Sequence, residues 1–185
     1  VRLHFAFGPW QHRGTAPYEH ENQEERMAIK IGTHAPHITL FDTERKAVTF
    51  PEHGHVTVLA FFPAAFTSVC TKELCTFRDA IADYQKLHAT VYGISIDSPF
   101  SLAEFKKQQN LPFSLLSDHK HEAIKAYDVV FSNLANLGLI VAARSVFVID
   151  THGHVSWSWV GAEPKDEPKY EDVKKAVEAA AAHKH

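Results

Sequence analysis

Cysteine is scarce in this chain: its 185 residues hold only two, Cys70 and Cys75. A secreted disulfide framework needs more than that. The pair reads instead as thiols kept reduced for chemistry, which places the protein in the cytoplasm, or as inert core thiols. Charge of one sign is not in excess: 19 Lys and Arg stand against 22 Asp and Glu, a formal net charge of -3. There is no basic surplus to neutralise a phosphate backbone, which argues against nucleic acid as the main partner. No uninterrupted apolar run approaches the roughly 20 residues that a membrane helix requires. Internal repeats and low-complexity tracts are absent. What is present is a composition 45% hydrophobic, ordinary for a globular chain, at a length that suits one domain.

The segment Val1 to Arg26 differs from the rest. It carries Pro9, Gly14 and Pro17, then the polar run EHENQEER. A positively charged start followed by an apolar block is missing, so it does not read as a secretory signal. Residues 1–26 are expected to be a loosely held extension, with Met27 as a candidate working start, and 27–185 to be the folded domain.

Regular patterning begins near Ile29. His37–Phe41 and Ala47–Phe50 read as short strands around the turn DTERK. Val56–Phe62 is a continuous apolar run, VTVLAFF, suited to a strand buried on both faces. Thr67–Leu87 has helical spacing, with Leu74, Phe77, Ile81 and Tyr84 at three- and four-residue steps. Thr90–Ile96 is a second buried strand. Ser98 and Pro99 open a helix to Gln109. Phe113–Leu116 is a strand, His121–Tyr127 a short helix, and Phe131–Ala142 an apolar loop. Ser145–Ile149 and His154–Trp159 form a hairpin, and Pro168–Ala182 a final amphipathic helix. The alternation predicts an α/β domain, a central mixed sheet flanked by helices.

Chemistry concentrates in FFPAAFTSVCTKELC, Phe61 to Cys75. A buried strand, a proline loop and a helix start follow one another there, and ligand sites gather beyond the carboxyl ends of such strands. Cys70 falls in the first helical turn, where free N–H groups favour negative charge and cysteines become reactive. Thr67 can hydrogen-bond the sulfur or a bound oxygen, or serve as an N-cap. A thiolate calls for a cation. Arg144, before the buried-looking SVFVID, is the first candidate; its alternative use is a structural ion pair with Glu73. Arg78 is the competitor. On a regular helix the Cα atoms of Cys70 and Cys75 lie roughly 9 Å apart, beyond the roughly 7 Å reach of a disulfide. Bonding between them requires the first turns to unwind; otherwise Cys75 is a core thiol and the second thiol comes from another molecule.

These residues resemble the peroxiredoxin family. PAAFTSVC matches its proline–threonine–cysteine signature at Pro63, Thr67 and Cys70, and Glu73 matches a common family position. Arg144 before SVFVID looks like the family's arginine. The resemblance runs from about Ile29 to Ala181. The gap before Cys75 is similar to the PrxQ (bacterioferritin-comigratory-protein) group, and AFTSVC to the one-cysteine AhpE-like group. The resemblance implies a thioredoxin-like fold and reduction of hydrogen peroxide or organic hydroperoxides by Cys70. Thr67 and Arg144 would polarise the O–O bond, Pro63 would shield the sulfur, and Cys75 would resolve the oxidised cysteine. A thioredoxin- or glutaredoxin-like protein would then reduce the bridge. No metal or organic cofactor is implied. The rival readings are a thiol–disulfide oxidoreductase, whose usual Cys-x-x-Cys is missing, and a non-enzymatic holdase.

Other features are weaker. Four His-x-His pairs, at 53/55, 119/121, 152/154 and 183/185, lie mostly in turns without a third ligand nearby. Trp157 and Trp159 alternate with serines, as on a half-buried strand. Phe41, Phe100 and Phe131 are candidates for a homodimer surface. The apolar loop Phe131–Ala142 is a candidate pocket wall.

Overall fold

The computed structural model describes residues 28–182. The expected extension Val1–Arg26 and the pair His183/His185 lie outside the described residues. Nine strands and four helices follow in chain order among the described residues: β1 (Ile38–Asp42), β2 (Ala47–Phe50), β3 (Val56–Phe61), α1 (Ser68–Lys86), β4 (Ala89–Ser95), α2 (Pro99–Gln108), β5 (Ser114–Ser117), α3 (Glu122–Ala126), β6 (Val130–Leu134), β7 (Leu139–Ala142), β8 (Ser145–Ile149), β9 (Val155–Val160) and α4 (Tyr170–Ala182).

Seven strands form one mixed sheet in the order β2-β1-β5-β4-β3-β8-β9. The central strands β3, β4 and β5 are parallel, because a helix returns the chain between each pair. β8 runs antiparallel to β3 and pairs with β9 in the expected hairpin. Side-chain alternation divides the core in two. Val58, Ala60 and Phe62 face one side, under Leu74 and Phe77 of α1, Phe105 of α2 and Val173 and Val177 of α4. Leu59, Phe61 and Phe147 face the other, with Ile124 of α3 and Tyr127. Every residue of β3 and of β8 is buried, as mostly apolar strands in a doubly covered sheet should be.

The local signals held at α2. Ser98 accepts from the N–H of Ser101, and proline occupies the first turn. Two expectations are corrected. Phe131–Ala142 is not a loop but a hairpin, β6 and β7, forming a small sheet of its own. Its turn is built from Asn133, Ala135, Asn136 and Gly138, all at positive φ, with the Asn133 side chain accepting from the Gly138 N–H at 2.9 Å. Phe131 is buried in the core, so it does not belong to an exposed dimer surface; Phe41 and Phe100 are exposed.

Candidate active site

β3 delivers the chain to the sheet rim at Phe61, and Phe62 still bonds the Ile94 carbonyl at 3.0 Å. The buried Pro63 then turns it. The loop after it is held by Asp97, whose Oδ2 accepts from the Ala65 N–H at 2.9 Å and from the Ser95 hydroxyl at 2.8 Å. Phe66 is forced to φ 65°, a rare conformation for a bulky side chain. Its ring is half exposed and rests edge-on against Phe105 at 5.0 Å.

Thr67 is the N-cap residue of α1 by backbone geometry, yet its side chain does not cap. The hydroxyl instead donates to the Ala64 carbonyl at 3.1 Å. The first intrahelical bond runs from Thr71 N–H to Thr67 O. The N–H groups of Ser68, Val69 and Cys70 precede it, and no acidic residue occupies this turn to compete for their field. Cys70 itself is fully buried.

Arg144 reaches that sulfur from the start of β8. Its Nη2 donates to Cys70 Sγ at 3.3 Å, while Nη1 donates to Glu73 Oε2 in a short contact. The Pro164 carbonyl accepts from Nε at 3.2 Å and from Nη2 at 2.8 Å. The two uses foreseen for Arg144, a partner for the sulfur and an ion pair with Glu73, are therefore realised together. Arg78 points elsewhere, donating to Asp79 and to the Gln109 carbonyl.

Electrostatics within this cluster are tight because Glu73 is fully buried and Arg144 nearly so. Burial pushes the Glu73 carboxyl up to about 7 against the pull of Arg144. Burial works against the Arg144 charge, but Glu73 and Cys70 outweigh it and raise its pKa. One carboxylate oxygen, Glu73 Oε1, is buried without a hydrogen-bond partner among the described residues. Cys75 lies on the same unbroken helix as Cys70; both thiols are free, and Cys75 donates to Gln109 Oε1 at 3.7 Å.

Sequence reasoning brought Pro63, Thr67, Cys70, Glu73 and Arg144 into one region, and the structure places them there. It missed Asp97 and the Pro164 carbonyl. Asp97 carries a local signal, an acidic residue just past a buried strand and before a helix cap. A backbone carbonyl carries none. Among the described residues no group of three or more His, Cys, Asp or Glu is arranged to hold a metal ion. No helix among them is long and apolar enough to cross a membrane.

A fully buried cysteine in the opening turn of a helix, met directly by an arginine at the start of β8 beside a mixed sheet flanked by helices, fits the thiol-based redox proteins of the thioredoxin-like class. The comparisons with known proteins are more specific. Residues 31–158 match the AhpC/TSA family. Peroxiredoxin Bcp of Bacillus subtilis is 36% identical over 143 residues, covering 76% of this chain and 90% of that protein. The chloroplastic peroxiredoxin Q of Oryza sativa subsp. japonica is 39% identical over 130 residues, 70% of this chain but only 58% of the rice protein. Among solved structures, a peroxiredoxin-like protein from Aquifex aeolicus superposes with a TM-score of 0.75 at 26% identity, covering 83% of this chain and 88% of its own. Peroxidoxin BcpB from Mycobacterium tuberculosis does so at 0.70 and 29%, covering 84% and 99%. The chain belongs to the AhpC/TSA family: it is a PrxQ/Bcp-like peroxiredoxin, a thiol-dependent peroxidase.

Proposed function

We propose that Cys70 is the sulfur that attacks peroxide, and that the observation carrying this is the Arg144 Nη2 contact with Cys70 Sγ at 3.3 Å. The thiolate, not the thiol, is the nucleophile. Its electron pair forms a bond to the terminal peroxide oxygen as the O–O bond breaks. Cys70 becomes a sulfenic acid, and the leaving oxygen takes a proton to depart as water or an alcohol. Negative charge moves from sulfur to that leaving oxygen. A guanidinium fixed by Glu73 and Pro164 stabilises it without reorganising, as preorganised donors do. In this reading the Thr67 hydroxyl, exposed at the helix start, and the N–H groups of the first turn hold the peroxide. Pro63, buried in the loop before α1, is the residue proposed to shield the sulfur.

Cys75 is the resolving thiol in this reading. Its sulfur displaces hydroxide from the Cys70 sulfenic acid, releasing water and leaving a disulfide. The first turns of α1 must unwind for that bond to form. A thioredoxin- or glutaredoxin-like dithiol then exchanges with the bridge and restores both thiols. Hydrogen peroxide and organic hydroperoxides are the substrates proposed. The free thiols suit a reducing compartment such as the cytoplasm, and the exposed Phe41 and Phe100 are offered as part of a homodimer contact.

The test is turnover with a thioredoxin-coupled reductant. The wild-type chain should consume peroxide catalytically and Cys70→Ser should not. Wild-type consumption no faster than a free thiol would reject the assignment and favour a thiol–disulfide exchange or holdase role.

A further inference from the structure

Arg144 aims Nη2 at Cys70, but that same nitrogen also donates to the Pro164 carbonyl. The carbonyl therefore sets the aim of the arginine. Pro164 belongs to the segment 161–169, which joins β9 to α4 without regular structure. The segment is pinned at several points. Gly161 N–H donates to the Arg144 carbonyl at 2.9 Å. Asp166 Oδ2 accepts from the Glu163 N–H at 2.8 Å, and its own N–H donates back to the Glu163 carbonyl at 3.0 Å, closing a turn around Pro164. A Cβ at Gly161 would stand 3.0 Å from Trp159 and 3.2 Å from Asp166, so the backbone passes closely there.

Glu167 ties this segment to the helix of Cys70. Its Oε1 accepts from Lys72 Nζ at 2.6 Å, and its Oε2 accepts from the Tyr170 hydroxyl at 2.9 Å. Lys72 stands between Cys70 and Glu73 on α1. The Tyr170 ring packs edge-on against Phe77, one helical turn further along, at 5.8 Å. Burial pushes the Glu167 carboxyl up, but Lys72 and Tyr170 together pull it further down, so its pKa lies below the ordinary value.

We propose that Glu167 is a positioning residue for the peroxide-splitting step: clamped by Lys72 and Tyr170, it fixes the segment 161–169 on α1 and so holds the Pro164 carbonyl that aims Arg144 at Cys70. This rests on Cys70 being the attacking sulfur. The Lys72–Glu167 pair is largely exposed on the lysine side, 68% against 21%. Such pairs add little to stability. Small displacements of a donor at the reacting atom are costly to rate, however. The same clamp also resists the unwinding of α1 that a Cys70–Cys75 bond requires. Releasing it should therefore slow the first step and speed the second, a split that simple loss of folding stability does not produce.

The experiment follows one turnover by rapid mixing with hydrogen peroxide, resolving sulfenic acid formation from disulfide formation. Wild type, E167A, K72M, C70S and the swapped pair K72E/E167K are compared. E167A and K72M should each lower the rate constant of the first step about three- to tenfold and leave disulfide formation as fast or faster. K72E/E167K should recover most of the first-step loss. A first step at the wild-type rate in both E167A and K72M, or both steps slowed alike, overturns the clamp. If C70S still reacts like wild type, the attacking sulfur is wrongly assigned and the clamp falls with it. If C70S is inert while E167A and K72M are unaffected, the clamp alone is rejected.

Discussion

Arg144 donates through one nitrogen to the Cys70 sulfur, across 74 positions of chain, and through its neighbour to the buried Glu73. The contact joins the first strand of the carboxyl-terminal hairpin to the first turn of α1. A permanent cation thus stands against the one fully buried thiol. The guanidinium is planar and has a fork of donors, which lets it serve the sulfur, Glu73 and the Pro164 carbonyl at once.

That geometry predicts the outcome of Arg144→Lys. A lysine keeps the charge but gathers its N–H donors on one nitrogen at the end of a flexible stem, so it cannot hold three partners in the same plane. The rate constant for reaction with hydrogen peroxide should fall about a hundredfold while the fold persists. Circular dichroism and stopped-flow kinetics on the same sample check this. A near-native rate would remove Arg144 from the reacting site.

Glu73 predicts a pH effect on stability. Its folded-state pKa, about 7, lies above the ordinary 4.5 because burial disfavours its charge. The folded protein therefore keeps a proton that the unfolded chain releases. Stability from this group is full below pH 4.5 and is lost as pH rises toward 7. The loss amounts to about 3 kcal/mol at most. Glu73→Gln does not titrate. The unfolding free energy of wild type relative to Glu73→Gln, from denaturant melts, should fall across that interval. Parallel curves for the two proteins would contradict the raised value.

Cys75 predicts a mass change. After one equivalent of peroxide the wild-type chain should lose two hydrogens, the sign of an internal bridge. Cys75→Ser should instead gain one oxygen and wait for an outside thiol. Its first-step rate should match wild type, since Cys75 bonds Gln109 and not the Cys70 cluster. Wild type that gains oxygen and never loses hydrogens would make this a one-cysteine enzyme.

The parts of this site readable in sequence were those that local chemistry dictates. Pro63, Thr67 and Cys70 sit within eight residues of one another, between a buried strand and a helix start. Arg144 was legible because a guanidinium beside a fully buried strand must be paired. Glu73 was legible as its partner because helical spacing turns it toward the same face as Cys70. Asp97, Pro164, Lys72 and Glu167 escaped for a physical reason. Each acts through a contact far along the chain, and Pro164 acts through a carbonyl that every residue possesses. The hairpin β6–β7 was misread for a different reason. Its apolar residues run together around an Asn-rich turn, without the strict alternation that marks a half-buried strand. The sheet core was easier, since β3 and β8 are almost wholly apolar, broken only by Thr57 and Ser145.

The most direct test of the whole account compares the first encounter with peroxide in Cys75→Ser and Cys70→Ser, each retaining a single thiol, by stopped flow. The account predicts that Cys75→Ser reacts as fast as wild type and that Cys70→Ser reacts no faster than a small free thiol. Equal slow rates in both, or a fast reaction carried by Cys75, would contradict it.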